Sequence, residues 1–383
     1  MKTRPLAQDY VVVGRTPAAD LITDDPALTK LPGGGLLATW TYRGKVGEAK
    51  NSNPGRFRLA RSDDGGRIWE ELDPLEITMG LPFVHGGELY LLGNAFGRRN
   101  IIISRSRDAG QTWRPFTTLF EGGFWNTPTG TAVRDGIWYR AFGAPNNAGI
   151  YNQTGSRTVV LAGDLSRDLL DPQTWRVSNL LNYPGTPPAL RTGVFGDYED
   201  HWLEPNVVNV NGRIRVLARP RIDGYATSGI AAVCDVDDDG RRLNYRFTQF
   251  HPFPGGQNKF HIVYDEPSRL FWMTGNLPTA SQDTELAAAL ERRGFSGRPG
   301  NERRFLMLFY SVDALNWFHA CCLAAWPSPL QSFHYVTPLV DGEDLLFLSR
   351  TSKDAPNQHD SDLVTFHRLA GFRSLALELH SEL

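Results

Sequence analysis

The chain has 383 residues, with 40 Lys plus Arg against 42 Asp plus Glu, for a formal net charge of −2. This length buries a large core without staples. The near-neutral charge excludes a broadly basic nucleic-acid binder, and no apolar run approaches the ~18 residues of a membrane span.

Any anionic ligand must therefore be held by local arginines rather than by a global field. Cys234, Cys321 and Cys322 are too few and too odd in number for a disulfide framework, and they read as small buried apolar residues. The stretch MKTRPLAQDYVVVGRTP at the start has basic residues but no apolar segment behind them, so it does not read as a secretory signal. The compartment stays open: cytoplasmic as given, or exported with the signal missing. The 38 Gly, 25 Pro and 43 aromatics (10 Trp, 12 Tyr and 21 Phe) favour many short strands between turns over helices.

Along the chain one phrase recurs, a turn followed by a short apolar strand. It reads GGGLLATW at 33–40, GGELYLLG at 86–93, DGIWYRAF at 135–142, NGRIRVLA at 211–218, PSRLFWMT at 267–274 and DGEDLLFL at 341–348. Each copy follows another short strand (PALTKL, LPFVH, GTAVR, NVVNV, FHIVYD, YVTPLV). Most precede a third (RFRLARS, NIIISRS, RTVVLAG, GIAAVCD, FLMLFYS, DLVTFHR) and often a fourth with Trp or Tyr (WEEL, WRPF, WRVS, LNYRF, WFHA). Six such units predict an all-β, six-bladed propeller of four-stranded antiparallel blades, one domain over 1–383. The sixth unit lacks a fourth strand, so Tyr10–Val13 is expected to complete it and close the ring, removing two sheet edges. One segment reads as helix, LAAALERR, within an insertion at about 278–303 of the fifth unit.

Two turns share the pattern Ser-x-Asp-x-Gly-x-x-Trp: Ser62, Asp64, Gly66 and Trp69, then Ser106, Asp108, Gly110 and Trp113. Ser and Asp bond turn amides, Gly supplies a positive φ, and Trp plugs the gap between strands. Ser311, Asp313 and Trp317 form a shorter variant, and DLLDPQTW at 168–175 a remodelled one. These turns resemble the Asp-box, and with FPGGQNKF and HDSDLVTFHR the chain is similar to the sialidase superfamily over most of its length. The resemblance implies a working face opposite the Asp-box turns, over the central channel. That face carries the starts of the first strands and the loops between second and third strands.

The face so chosen is rich in charge. It collects Asp25, Asn126, His201, Glu204, Asn206, Lys259, His261, His334 and Tyr335 at first strands, with His359 and Asp360 in the last loop. Arg43, Lys45, Arg98, Arg99, Arg140, Arg219, Arg221 and Arg350 come from second strands or the loops after them. Guanidinium forks suit a carboxylate sugar, so Arg43, Arg98, Arg140, Arg219, Arg221, Lys259, Arg350 and Asn206 are expected to bind substrate. Retaining sialidases use a Tyr nucleophile and a Glu that takes its proton. The resemblance implies Tyr335 and Glu204 for those roles in an exo-acting glycoside hydrolase that removes a terminal acidic sugar. The family's Arg-Ile-Pro near the N-terminus is missing, and Glu48 is the nearest acid after Arg43.

Two alternatives stand beside this reading. His334 or Tyr335, with His359 and Lys259, would suit a lyase that abstracts a proton from a uronic-acid glycan. A carbohydrate-binding propeller without turnover is the other. DVDDDG at 235–240 has calcium-loop spacing, but its twelfth position is Arg246, so it reads as an acidic turn. No cofactor, metal, nucleic-acid or membrane partner is expected, and His85, His319 and His367 read as core histidines.

Overall fold

The computed structural model describes the chain except residues 1–3, 19, 45–56, 97–99, 150–154, 192–197, 224–228, most of 280–301, 329, 356 and 381–383. Most of the predicted helical insertion, with Lys45, Glu48, Arg98 and Arg99, falls outside the described residues; Glu285, Ala288 and Arg292 within it are helical.

The described chain forms six small antiparallel sheets in a six-bladed propeller. Blade one holds β2 (Leu21–Lys30), β3 (Leu36–Gly44), β4 (Phe57–Ser62) and β5 (Glu70–Leu75). Blade two holds β6 (Thr78–His85), β7 (Glu88–Asn94), β8 (Ile101–Ser106) and β9 (Thr117–Phe120). Blade three is more irregular. Its β10 (Ala132–Arg134) and β13 (Trp175–Val177) are short beside β11 (Ile137–Ala144) and β12 (Arg157–Asp164), and β14 (Leu181–Asn182) pairs with β12. Blade four has the longest strands: β15 (Tyr198–Val210), β16 (Arg213–Asp223), β17 (Ile230–Asp238) and β18 (Leu243–Pro252). Blade five holds β19 (Phe260–Asp265), β20 (Leu270–Asn276), β21 (Phe305–Ser311) and β22 (Phe318–Ala325).

Blade six uses both ends of the chain. β23 (Ser332–Asp341), β24 (Asp344–Ser352) and β25 (Leu363–Leu369) are completed by β1 (Val11–Arg15), which pairs antiparallel with β25, Val11 opposite Phe366. The ring thus closes by backbone pairing rather than by a covalent link; β25 is covered, and β1 becomes the outer edge of the blade.

Alternation along the strands buries one set of side chains between neighbouring blades. Blades three and four share Tyr139, Val160, Trp202, Val216 and Tyr245; blades five and six share Trp272, Leu308, Phe333 and Phe347. Trp40, Trp202 and Trp272 are fully buried; truncating such a side chain to Ala costs about 3–5 kcal/mol. Cys234 joins this core, as expected, whereas Cys321 and Cys322 are half-buried. His367 is buried between the Ala7 carbonyl and Thr365, but His85 is half-buried and His319 is exposed against Phe309. Phe318 beside it is exposed as well, at the end of β22 where the register with β21 shifts.

The turns between third and fourth strands are stapled locally. Ser62 Oγ accepts from the Gly66 amide at 2.9 Å, Asp64 accepts from the amides of Arg67 and Ile68, and Trp69 Nε1 donates to the Gly66 carbonyl at 3.0 Å. Ser106, Asp108, Gly110 and Trp113 repeat the set. In the shorter turn Ala314 adopts φ 57° and Asp313 bonds the amides of Leu315 and Asn316. These turns lie at the opposite end of the blades from the starts of the first strands.

Candidate active site

One backbone device recurs at the channel. In four blades the first strand carries a bulge, between Asp24 and Ala27, Thr78 and Leu81, Leu203 and Asn206, and His334 and Thr337. Within each bulge one non-glycine residue is left-handed: Asp25 (φ 50°), Met79 (φ 53°), Glu204 (φ 51°) and Tyr335 (φ 52°). Such a conformation costs on the order of 1 kcal/mol and re-aims the side chain it carries. Three of the four side chains so aimed are titratable.

The bulges of blades four and six meet across blade five. Tyr335 Oη donates to Glu204 Oε1 at 2.7 Å, and Arg219 Nη1 donates to Glu204 Oε2 at 2.8 Å. Arg219 also donates Nε to the Gln257 carbonyl at 2.5 Å. Arg350 lies over the Tyr335 ring at 4.7 Å and Lys259 at 6.0 Å, with Lys259 Nζ donating to the Val336 carbonyl at 2.7 Å. Burial, followed by the Glu204 charge, raises the Tyr335 pKa against the opposing pull of Arg219, Arg303 and Arg350. The phenol therefore keeps its proton in the resting site, and Glu204 is placed to take it. Burial lowers Lys259 to about 7 and Arg303 to about 9.

Blade one contributes an acidic pair. Burial works to raise Asp24, yet Arg350 and Arg43 hold it down at about 2. Arg43 Nε and Arg350 Nη1 donate to its two carboxylate oxygens, so the contact ties blade one to blade six. Arg350 Nη2 also donates to the His359 carbonyl at 2.7 Å. Asp25 has a different fate. Burial, then the Asp24 charge, raises it to about 7, with Thr127 of the blade-three approach as its hydroxyl neighbour. Among the described residues no lysine or arginine forms an ion pair with Asp25.

The other expected site residues are placed as follows. His334 is fully buried, Nε2 against Ser361 Oγ at 2.8 Å. Half-buried His359 sits 3.0 Å from Asp360, and burial with the nearby arginines lowers it to about 3. Arg140 lies beneath the site, fully buried, and donates to the carbonyls of Leu92, Met79 and Asn126; it braces the channel wall. Asn206 is a staple as well. Its Oδ1 accepts from the amides of Gly130 (2.9 Å) and Ile262 (3.1 Å), and its Nδ2 donates to the Glu204 and Phe260 carbonyls. It thereby fixes the bulge that aims Glu204. A Cβ on Gly130 would lie 2.4 Å from the Ile262 carbonyl, so only glycine permits this approach. Arg221 lies further along β16 than Arg219, opposite His201 and half-buried.

Two site residues escaped the sequence reading. Asp24 was passed over beside Asp25, although both lie in the bulge region next to Pro26. Arg303 enters from just before β21, where the Glu-Arg-Arg run at 302–304 was the available signal. It is buried within the electrostatic reach of Tyr335, Arg219, Arg350 and Glu204, and Asn276 bonds its carbonyl at 3.1 Å. Among the described residues no group of three or more His, Cys, Asp or Glu is arranged to hold a metal ion. Asp235 of the acidic turn pairs instead with Arg213, Arg215 and Arg246.

No family model and no curated protein matches the chain in sequence. Solved structures do match in fold. An α-L-arabinanase of Penicillium chrysogenum, complexed with arabinobiose, superposes with a TM-score of 0.55 over 96% of this chain and 99% of that one, at 15% identity. A Trypanosoma rangeli sialidase in complex with sialic acid gives 0.56 over 92% of this chain, again at 15% identity. The chain has the fold of the sialidase-like propellers. It spans 55% of that sialidase. A Fusarium graminearum α-L-arabinofuranosidase with arabinobiose gives a TM-score of 0.54 over 95% of this chain and 98% of that one, at 12% identity.

Proposed function

We propose that this sialidase-like propeller is a retaining exo-glycoside hydrolase in which Tyr335 attacks the anomeric carbon and Glu204 takes its proton. The observation that carries the reading is the 2.7 Å bond from Tyr335 Oη to Glu204, with Arg219 on the other carboxylate oxygen. A phenol needs an adjacent base to act as a nucleophile near neutral pH, and two backbone bulges bring that base to it. Attack forms the bond from Tyr335 oxygen to the sugar and breaks the bond to the leaving oxygen, which departs with a proton drawn from solvent. Water then adds to the anomeric carbon, its proton returns to the Tyr335 oxygen, and Glu204 gives up its own proton to solvent. Arg219, Arg303 and Arg350 favour the charge that develops on the phenol. The fold neighbours that are glycosidases with a bound sugar support carbohydrate chemistry in general.

The acidic-sugar expectation rested on guanidinium groups, Arg43, Arg219 and Arg350 among them, being open to a substrate carboxylate. In the fold Arg43 and Arg350 bind Asp24 and Arg219 binds Glu204, which weakens that choice of substrate. The elimination reading named His334 or Tyr335 as its base; His334 is fully buried against Ser361, which leaves Tyr335 for that role.

The test is a panel of 4-methylumbelliferyl and 2-fluoro glycosides. Wild type releases fluorophore from at least one, and mass spectrometry of a trapped 2-fluoro sugar locates it on the peptide containing Tyr335. Tyr335→Phe lowers kcat by roughly 10^3-fold or more with unchanged thermal stability. A sugar trapped on a different residue would sink the assignment, and so would an unsaturated product absorbing in the ultraviolet.

A further inference from the structure

The bulges that carry Asp25, Glu204 and Tyr335 are held in one way. The residue that follows each left-handed position turns its carbonyl toward the preceding blade of the ring, and a side chain of that blade caps it. Thr337 Oγ1 of blade six donates to the Pro26 carbonyl, and Thr129 Oγ1 of the blade-three approach donates to the Pro205 carbonyl, both at 2.7 Å. Lys259 Nζ, from just before β19 of blade five, donates to the Val336 carbonyl, also at 2.7 Å. All three caps are buried. A buried carbonyl without such a donor carries an unmet desolvation cost, so each cap favours the bulged backbone over its relaxed alternatives.

The two threonine caps end at the backbone. Lys259 goes further, because its ammonium also lies 6.0 Å from the centre of the Tyr335 ring, within range of attraction between a cation and an aromatic face. One side chain thus touches the backbone behind the nucleophile and the ring that bears it. Arg350 frames the same ring at 4.7 Å and is itself fixed by Asp24 and the His359 carbonyl. The phenol held this way meets Glu204 Oε1 at 2.7 Å. A reacting group displaced by about 1 Å loses on the order of 10^2-fold in rate, so a side chain that sets this pose acts on turnover without touching the sugar.

We propose that Lys259 is the positioning residue of the nucleophile: from blade five it fixes the bulge behind Tyr335 and the face of its ring, and so sets the phenol against Glu204. Its part in turnover rests on the Tyr335 reading above; its hold on the ring is measurable without turnover.

Two readouts are taken on wild type, Lys259→Met, Lys259→Gln and Lys259→Arg. Met removes the donor, whereas Gln and Arg keep one for the Val336 carbonyl. In the first readout 3,5-difluorotyrosine replaces Tyr335. A ring held on its faces flips slowly and shows two fluorine resonances. Two are expected in the wild-type background and one averaged resonance in Lys259→Met. In the second, kcat on a 4-methylumbelliferyl glycoside that wild type cleaves is expected to fall about 10-fold or more in Lys259→Met, with KM within about 3-fold; Gln or Arg should restore kcat to within about 5-fold of wild type. A raised KM with kcat unchanged would make Lys259 a substrate ligand and overturn the proposal. Two resonances and an unchanged kcat in a folded Lys259→Met overturn it as well. Where Lys259→Met does not fold, the donor-keeping variants decide: both losing kcat about 10-fold or more overturns the proposal, and either one matching wild type in both readouts supports it. A sugar trapped on another residue, or no glycoside cleaved, sinks the hydrolase reading, and the fluorine resonances still decide whether Lys259 holds Tyr335.

Discussion

At the turns between third and fourth strands, Asp64, Asp108 and Asp313 bond backbone amides no more than four residues away, beside water. At the other end of the blades, Asp24 meets Arg350 across 326 residues of sequence, and Glu204 meets Tyr335 across 131. The same residue types thus do opposite work. The first set shapes turns through spacing alone. The second set is buried, desolvated and joined only after the ring has closed, so each carboxylate there depends on a partner delivered by another blade. Charges of this second kind are expensive to disturb, because a buried ion left without its partner keeps its desolvation penalty.

The largest expected effect is therefore at Asp24. Asp24→Ala strands Arg43 and Arg350 and is expected to destabilise the protein by about 3–5 kcal/mol, read by chemical denaturation. A loss under about 1 kcal/mol would mean that the triad contributes no more than a turn does. Next comes Asn206, which serves four backbone groups of blades three to five. Asn206→Ala is expected to cost about 2–4 kcal/mol and also to lower turnover through the misplaced Glu204 bulge; an unchanged rate in a destabilised variant would separate the staple from the site.

Asp25 sharpens the comparison through pH. Its neighbours are Asp24, Arg43, Arg350, Lys259, Arg140 and the Thr127 hydroxyl. Folded, it keeps its proton to about pH 7, against an ordinary value of 3.8. Between those values the folded chain binds the extra proton, so its contribution to stability falls as pH rises and is flat above. Asn at this position does not titrate. The melting temperature of Asp25→Asn minus that of wild type should therefore grow by a few kelvin between pH 4.5 and 8; a constant difference would mean that Asp25 is ionised throughout.

The turns should respond weakly. Ser106→Ala removes one acceptor for the Gly110 amide and should cost about 1 kcal/mol. Smallest of all is the exposed pair of Arg4 with Asp9, where Arg4→Ala should leave the melting temperature within error. A larger loss there would show that surface pairs matter more in this ring than elsewhere.

Legibility in the sequence follows the same division. The repeat, the closing role of the first strand and the stapled turns could all be read, because period-2 alternation and turn chemistry act over a few residues. Glu204 and Tyr335 could be named because each opens a blade on the face opposite the turns. Asp24 and Arg303 could not, since only the tertiary pairing distinguishes them from the acidic and basic residues beside them. Arg140 and Asn206 were expected at the substrate for the same reason: their types suit a ligand, and only the fold aims them at backbone carbonyls and amides.

By itself, then, the order of residues determined a ring of six antiparallel sheets and the end of it that carries charge, because hydrophobic alternation and turn residues are local instructions. The tertiary structure decided which charges cancel one another. That choice depends on four left-handed bulges and on the burial that follows closure, and among the described residues it leaves Asp25 without an ion pair while Asp24, one residue earlier, holds two.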